Sequence, residues 1–85
     1  MTSGAAITEI LEAYGNRYGT WVSITEIADT AGITKEDLAE AITELLECDD
    51  FHAEPHPFSF RITDRDREIC PVIGGEARHL IRFQP

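Results

Sequence analysis

The chain has 85 residues, of which 42% are hydrophobic and 27% charged, with a formal net charge of −9. That is one small domain with a modest core, too apolar to stay disordered. Two cysteines are too few for a disulfide framework, no run reaches the ~18 apolar residues of a membrane span, and the opening MTSGAAITEI has neither the basic start nor the apolar run of a secretion signal. The expectation is a cytoplasmic protein with reduced thiols and no membrane association.

The charge is unevenly placed. Residues 1–50 hold eleven acids against two bases, Arg17 and Lys35, and residues 51–85 hold five acids against five arginines. The first part is an acidic helical body and the second an arginine-containing, neutral part. The acidic field repels phosphate and attracts basic proteins. Solubility alone, or adaptation to high salt, would also give many acids and a single lysine.

In chain order, the first helix is predicted over residues 5–17, on the stripe Ile7, Ile10, Leu11, Tyr14 and Tyr18. Thr20, Trp21 and Val22 form a very short strand. A second helix covers residues 24–30, with Ser23 as its N-cap and Glu26 closing a capping box. Gly32 supplies a tight turn. The third helix covers residues 35–48, capped by Thr34 with Asp37 as its partner, and it buries Leu38, Ala41, Ile42 and Leu45 at helical spacing.

After residue 50 the period changes to two. Phe58, Phe60 and Ile62 alternate with Ser59 and Arg61 as in a half-buried strand. Pro55 and Pro57 confine residues 51–57 to an edge or a loop. Thr63 to Asp66 cap one helical turn that ends before Pro71. Gly74-Gly75 is a turn, and a last strand follows in which His79, Ile81 and Phe83 face inward. The expected core is Ile10, Leu11, Ile27, Leu38, Ile42, Leu45, Phe58, Phe60 and Ile81.

This order is an α+β arrangement of three helices and a C-terminal β-hairpin wing, in a single domain over residues 1–85. It resembles the winged helix-turn-helix superfamily. The resemblance rests on Ala28 and Gly32 at their spacing in the turn, on Leu38 and Ala41 inside helix 3, and on the strand pair after Asp50. It implies a role in transcription or another DNA transaction, through contacts with DNA or with proteins.

The family's groove-reading positions fall on the outward face of helix 3, at Thr34, Lys35, Glu36, Ala39, Glu40 and Thr43. Base-reading helices favour Arg, Lys, Asn and Gln, and phosphate contacts need cations. Here only Lys35 is basic, and Glu36, Glu40 and Glu44 are acidic. Two readings follow. In the first, a non-catalytic regulatory module presents Lys35, Glu36, Glu40, Thr43 and Glu44 to a basic protein partner, or self-associates through its wing, with Tyr18, Trp21 and Phe83 as candidate anchors. In the second, a transcriptional regulator contacts DNA with Thr34 and Lys35 at the start of helix 3 and with Arg61, Arg78 and Arg82 in the wing. Electrostatic repulsion acts on every DNA sequence alike, so the first reading leads. Arg65 and Arg67 are expected to pair locally with Asp64, Asp66 and Glu68.

Other chemistry is sparse. Cys48, His52 and His56 stand four apart and Cys70 and His79 follow, but Asp49-Asp50 and Pro55 break the helix that would align them for zinc. No metal is expected, and Cys48 reads as a small core residue. Gly74-Gly75-Glu76 lacks the Lys-Ser or Lys-Thr of a phosphate loop. No nucleophile, base and orienting acid fall together, so no enzyme, cofactor or small-molecule ligand is expected.

Overall fold

A computed structural model describes residues 2–84. It is an α+β fold with four helices and small antiparallel sheets among the described residues, compatible with a winged-helix-like layout. Helix α1 spans Ser3–Tyr14, strand β1 Val22–Ser23, α2 Ile24–Ala31 and α3 Lys35–Leu45. Strand β2 spans Phe51–Glu54, a 3-10 turn Ser59–Arg61, α4 Asp64–Ile69, β3 Val72–Ile73, β4 Glu76–Ala77 and β5 Leu80–Phe83.

The helical half follows its local chemistry. The Ser23 side chain accepts from the Glu26 amide and the Thr34 side chain from the Asp37 amide, so each supplies an N-cap. The Glu26 carboxylate does not close a capping box; it pairs with Arg17 at 2.8 Å. Gly32 ends α2 at φ 69°, ψ 34°, and its N–H donates to Ala28 O. That left-handed conformation is cheap only for glycine. Helix α3 buries Leu38, Ala41, Ile42 and Leu45, as its period requires, and ends at Leu45 rather than at residue 48.

Helix α1 ends at Tyr14, earlier than expected, because Gly15 turns the chain and Arg17 caps the open carbonyls. Arg17 Nε donates to Tyr14 O and another guanidinium nitrogen to Ala13 O, each at 2.9 Å. The buried stripe is Ala6, Ile10 and Tyr14, which rotates Leu11 and Tyr18 out to 41% and 60% exposure. The Tyr14 hydroxyl lies 2.7 Å from Thr20 O and 2.8 Å from Arg17 O, and accepts from the Phe83 N–H at 3.3 Å. Tyr14, Phe51 and Phe83 meet edge to face, with 4.9 Å between ring centroids in both pairs that Phe83 makes.

The main sheet has the order β1-β5-β2, all antiparallel. Strand β5 is central: Ile81 faces both Val22 of β1 and Ala53 of β2. The partner of the last strand is therefore residues 51–54, and not the stretch around Phe58–Ile62. With β1 and β2 on both sides of β5, no place beside β5 is left for residues 58–62. They form the 3-10 turn, with Phe58 54% and Phe60 81% exposed, so neither belongs to the core. Phe51 and Ala53 take those places.

The connection from β2 to β5 is more than a simple wing. Thr63 and Asp66 form a full capping box that starts α4. Asp66 also accepts from the Thr25 hydroxyl at 2.6 Å, which binds α4 to α2. The Gly74-Gly75 turn then closes a second hairpin, β3–β4, that packs beside α3. Arg78 fixes that hairpin to the sheet: it donates to Ala53 O of β2 at 2.7 Å and to Ile73 O at 3.1 Å.

Candidate functional site

The outward face of α3 and the β3–β4 hairpin enclose an open cleft of about 640 Å³. One wall is Ala39, Glu40, Thr43, Glu44 and Glu47; the other is Val72, Ile73 and Gly74. Val72 presents its side chain with 67% exposure. Glu40 and Glu44 stand at i and i+4 on one face of α3, and Glu47, in the turn after the helix, extends the same acidic wall. The Thr43 hydroxyl donates to Ala39 O at 2.7 Å, so its hydrogen is engaged within the helix. Thr34, Lys35 and Glu36 are exposed at the N-terminal end of the same helix.

Three of the protein's own cations are paired away from this cleft. Arg17 pairs with Glu26, Arg65 with Asp29 and Glu68, and Arg67 with Asp64 at 3.1 Å. Of the local partners expected for Arg65 and Arg67, Glu68 and Asp64 are present, whereas Asp66 binds Thr25 and Thr63 instead, and Asp29 of α2 is an added partner. The carboxylates of Asp29 and Glu68 raise the Arg65 guanidinium above its ordinary value. Among the described residues, Glu36, Glu40, Glu44 and Glu47 form no ion pair. These four carboxylates are uncompensated among the described residues.

The wing arginines divide. Arg61 is exposed on the 3-10 turn. Arg78 is half-buried, with its guanidinium donating to backbone carbonyls. Arg82 lies 4.7 Å over the Trp21 ring, as a cation–π stack on the outer face of the sheet. The three do not form one patch of free cations. Trp21 and Tyr18 are exposed, whereas Phe83 is buried at 7% and unavailable as an anchor.

A second, polar pocket lies between the sheet and α4, lined by Ser23, His56, Arg61, Asp66, His79 and Leu80. His79 is buried, and its Nδ1 accepts the His56 N–H at 3.0 Å. Burial lowers the His79 imidazole below its ordinary value; Asp66 opposes that shift, while His56 and Arg67 reinforce it. Burial alone would raise the Asp66 carboxyl, but hydrogen bonds from Thr25 and Thr63, with His79 nearby, bring it below its ordinary value. Burial raises the Cys70 thiol, which lies 3.6 Å from the Thr25 hydroxyl, so it stays protonated and unreactive. Cys48 is exposed just beyond α3, and is not a core residue, because the helix stops at Leu45. No group of three His, Cys, Asp or Glu able to hold a metal occurs among the described residues. No helix among them is long and apolar enough to cross a membrane.

The sequence places the acidic face of α3 but not the hairpin that walls it. The signal for the hairpin was present: Val72-Ile73 and Ala77 flank Gly74-Gly75 as short apolar arms around a turn. Comparison with protein-family models, with curated proteins and with solved structures finds no match to this chain.

Proposed function

We propose that this chain is a winged-helix-type, non-catalytic regulatory module in transcription or another DNA transaction, and that it docks a basic protein segment in the cleft between α3 and the β3–β4 hairpin. The observation that carries this reading is the uncompensated stripe Glu40, Glu44 and Glu47 facing the exposed Val72. Such a cleft suits a segment with cationic side chains for the stripe and an apolar side chain for the hairpin wall. The hairpin also occupies the flank of the helix face that would otherwise enter a DNA groove. Of the proposed DNA contacts, Arg78 and Arg82 are engaged inside the protein, which leaves Thr34, Lys35 and Arg61 exposed.

The test is a pair of titrations followed by amide NMR. One uses a Lys- and Leu-containing amphipathic peptide, the other random-sequence duplex DNA, each at low and moderate salt. The peptide should shift the amides of α3 and of residues 72–77, and Glu40→Lys with Glu44→Lys should abolish the effect. Binding of DNA at low salt, tightened by the same reversal and weakened by Arg61→Ala, would replace this reading with the DNA-binding one.

A further inference from the structure

The segment after β2 is held by two histidines in an arrangement that only neutral rings permit. Pro55 and Pro57 have no N–H, so His56 and Phe58 carry the only amides at the start of this stretch. The His56 N–H donates to His79 Nδ1 at 3.0 Å, and the Phe58 N–H donates to His56 Nδ1 at 3.1 Å. A neutral imidazole can accept at Nδ1; an imidazolium has a proton on each nitrogen and accepts at neither. Residues 55–58 pair with no strand. Beyond them, the exposed rings of Phe58 and Phe60 lie 5.7 Å apart.

We propose that His79 is a pH-operated latch: protonation at Nδ1 expels the His56 amide and frees the segment of residues 55–61 from the sheet. The anchor itself stays rigid. The His79 N–H donates to Glu54 O of β2 and its carbonyl accepts from the Ile24 N–H of α2, each at 2.9 Å, so the ring is presented by fixed backbone. The groups facing it are Asp66 and Arg67 of α4, His56 and Arg61 of the segment itself, and Ser23 of β1. Burial, His56 and Arg67 oppose the imidazolium, and Asp66 favours it. The latch also governs a second feature. Pro55 and Pro57 form one side of an apolar notch of about 290 Å³ against Trp21 and Leu80. Release of the segment dismantles that notch.

The test is an NMR pH titration of the whole chain, following the ring nitrogens of both histidines together with the amides at positions 56 and 58. At neutral pH, His79 should be the Nε2-protonated tautomer. On acidification, the amide at position 56 should lose its hydrogen-exchange protection, after correction for the intrinsic rate, with the midpoint of the His79 ring, and Trp21 fluorescence should change at that same pH. His79→Asn supplies an oxygen acceptor near the place of Nδ1 that does not titrate, so protection at position 56 should persist into acid. His56→Ala should retain the wild-type step at its own amide, because the acceptor is His79. Titration of His79 without change at that amide, or survival of the step in His79→Asn, would overturn the proposal. Should His79→Asn fail to fold, coincidence or separation of the two wild-type midpoints decides alone.

Discussion

Single side chains in this protein often serve several backbone groups at once. The Tyr14 hydroxyl sits among the carbonyls of Arg17 and Thr20 and the amide of Phe83, which ties the end of α1 to the end of β5. Tyr14→Phe keeps the ring stack but leaves these groups short of a partner, and should cost about 1–3 kcal/mol in urea unfolding. His79 and Asp66 set the pH dependence of stability. Both are lowered in the folded state, His79 by burial and Asp66 by its hydrogen bonds against burial. The folded protein therefore binds fewer protons than the unfolded chain in the range where these groups titrate. The His79 contribution is complete above the ordinary imidazole value of about 6.5 and is lost as pH falls through the lower folded value. The Asp66 contribution is lost in the same direction, below the ordinary carboxylate value of about 3.9. Denaturation midpoints should fall from pH 7 to pH 5. In His79→Phe that first decline should shrink, and an equal decline would assign it to other groups.

The elements separate those that local sequence specifies from those that tertiary pairing decides. Gly32 should tolerate little: Gly32→Val places a β-branched residue at φ 69°, and should destabilise by about 1–3 kcal/mol while space around the site remains open. Leu38→Ala, at a site with no exposure, should cost about 2–5 kcal/mol. Helices α2 and α3 were legible because caps, turn glycine and 3.6-residue period agree at each position. The 58–62 stretch was not, because alternation reports a pleated pattern but not whether a partner strand exists. With β1 and β2 already beside β5, the place that the alternation pointed to is taken. Phe58→Ser and Phe60→Ser should accordingly change stability by no more than about 0.5 kcal/mol, the usual range for surface substitutions. A loss typical of core truncations would return them to the interior. The candidate site was half legible. The acids of α3 follow from periodicity, whereas the opposite wall depends on where the chain returns after α4, and no local pattern around Val72 encodes that.

For the whole molecule, the net charge of −9 resolves into an ion-paired side and an unpaired one. Around α2 and α4, acids meet Arg17, Arg65 and Arg67, in exposed pairs that solvent screening leaves weak. Among the described residues, Glu36, Glu40 and Glu44 of α3 form no such pair. Binding of a basic segment there should weaken as salt shortens the screening length to about 8–10 Å at moderate ionic strength. Reversal at Glu36, Glu40 and Glu44 should abolish it without altering the unfolding free energy by more than about 0.5 kcal/mol, since these side chains are exposed. Calorimetric titration of native and reversed chains across salt concentrations measures both effects. Salt-independent binding would point to the apolar wall alone.

Arg78 bears on how the molecule behaves in a crowd. Strand β2 is an edge of its sheet. The carbonyls of Asp50 and Glu54 accept from Gln84 and His79 on the β5 side, so by alternation that of Ala53 faces outward, where a strand from another chain would bind. Arg78 already occupies it. The same guanidinium holds Ile73, and with it the hairpin that walls the α3 cleft. One side chain thus covers an edge carbonyl and fixes the hairpin beside α3. Arg78→Ala should give concentration-dependent oligomers in sedimentation velocity experiments and loosen residues 72–77, two losses that solubility screening would register as one.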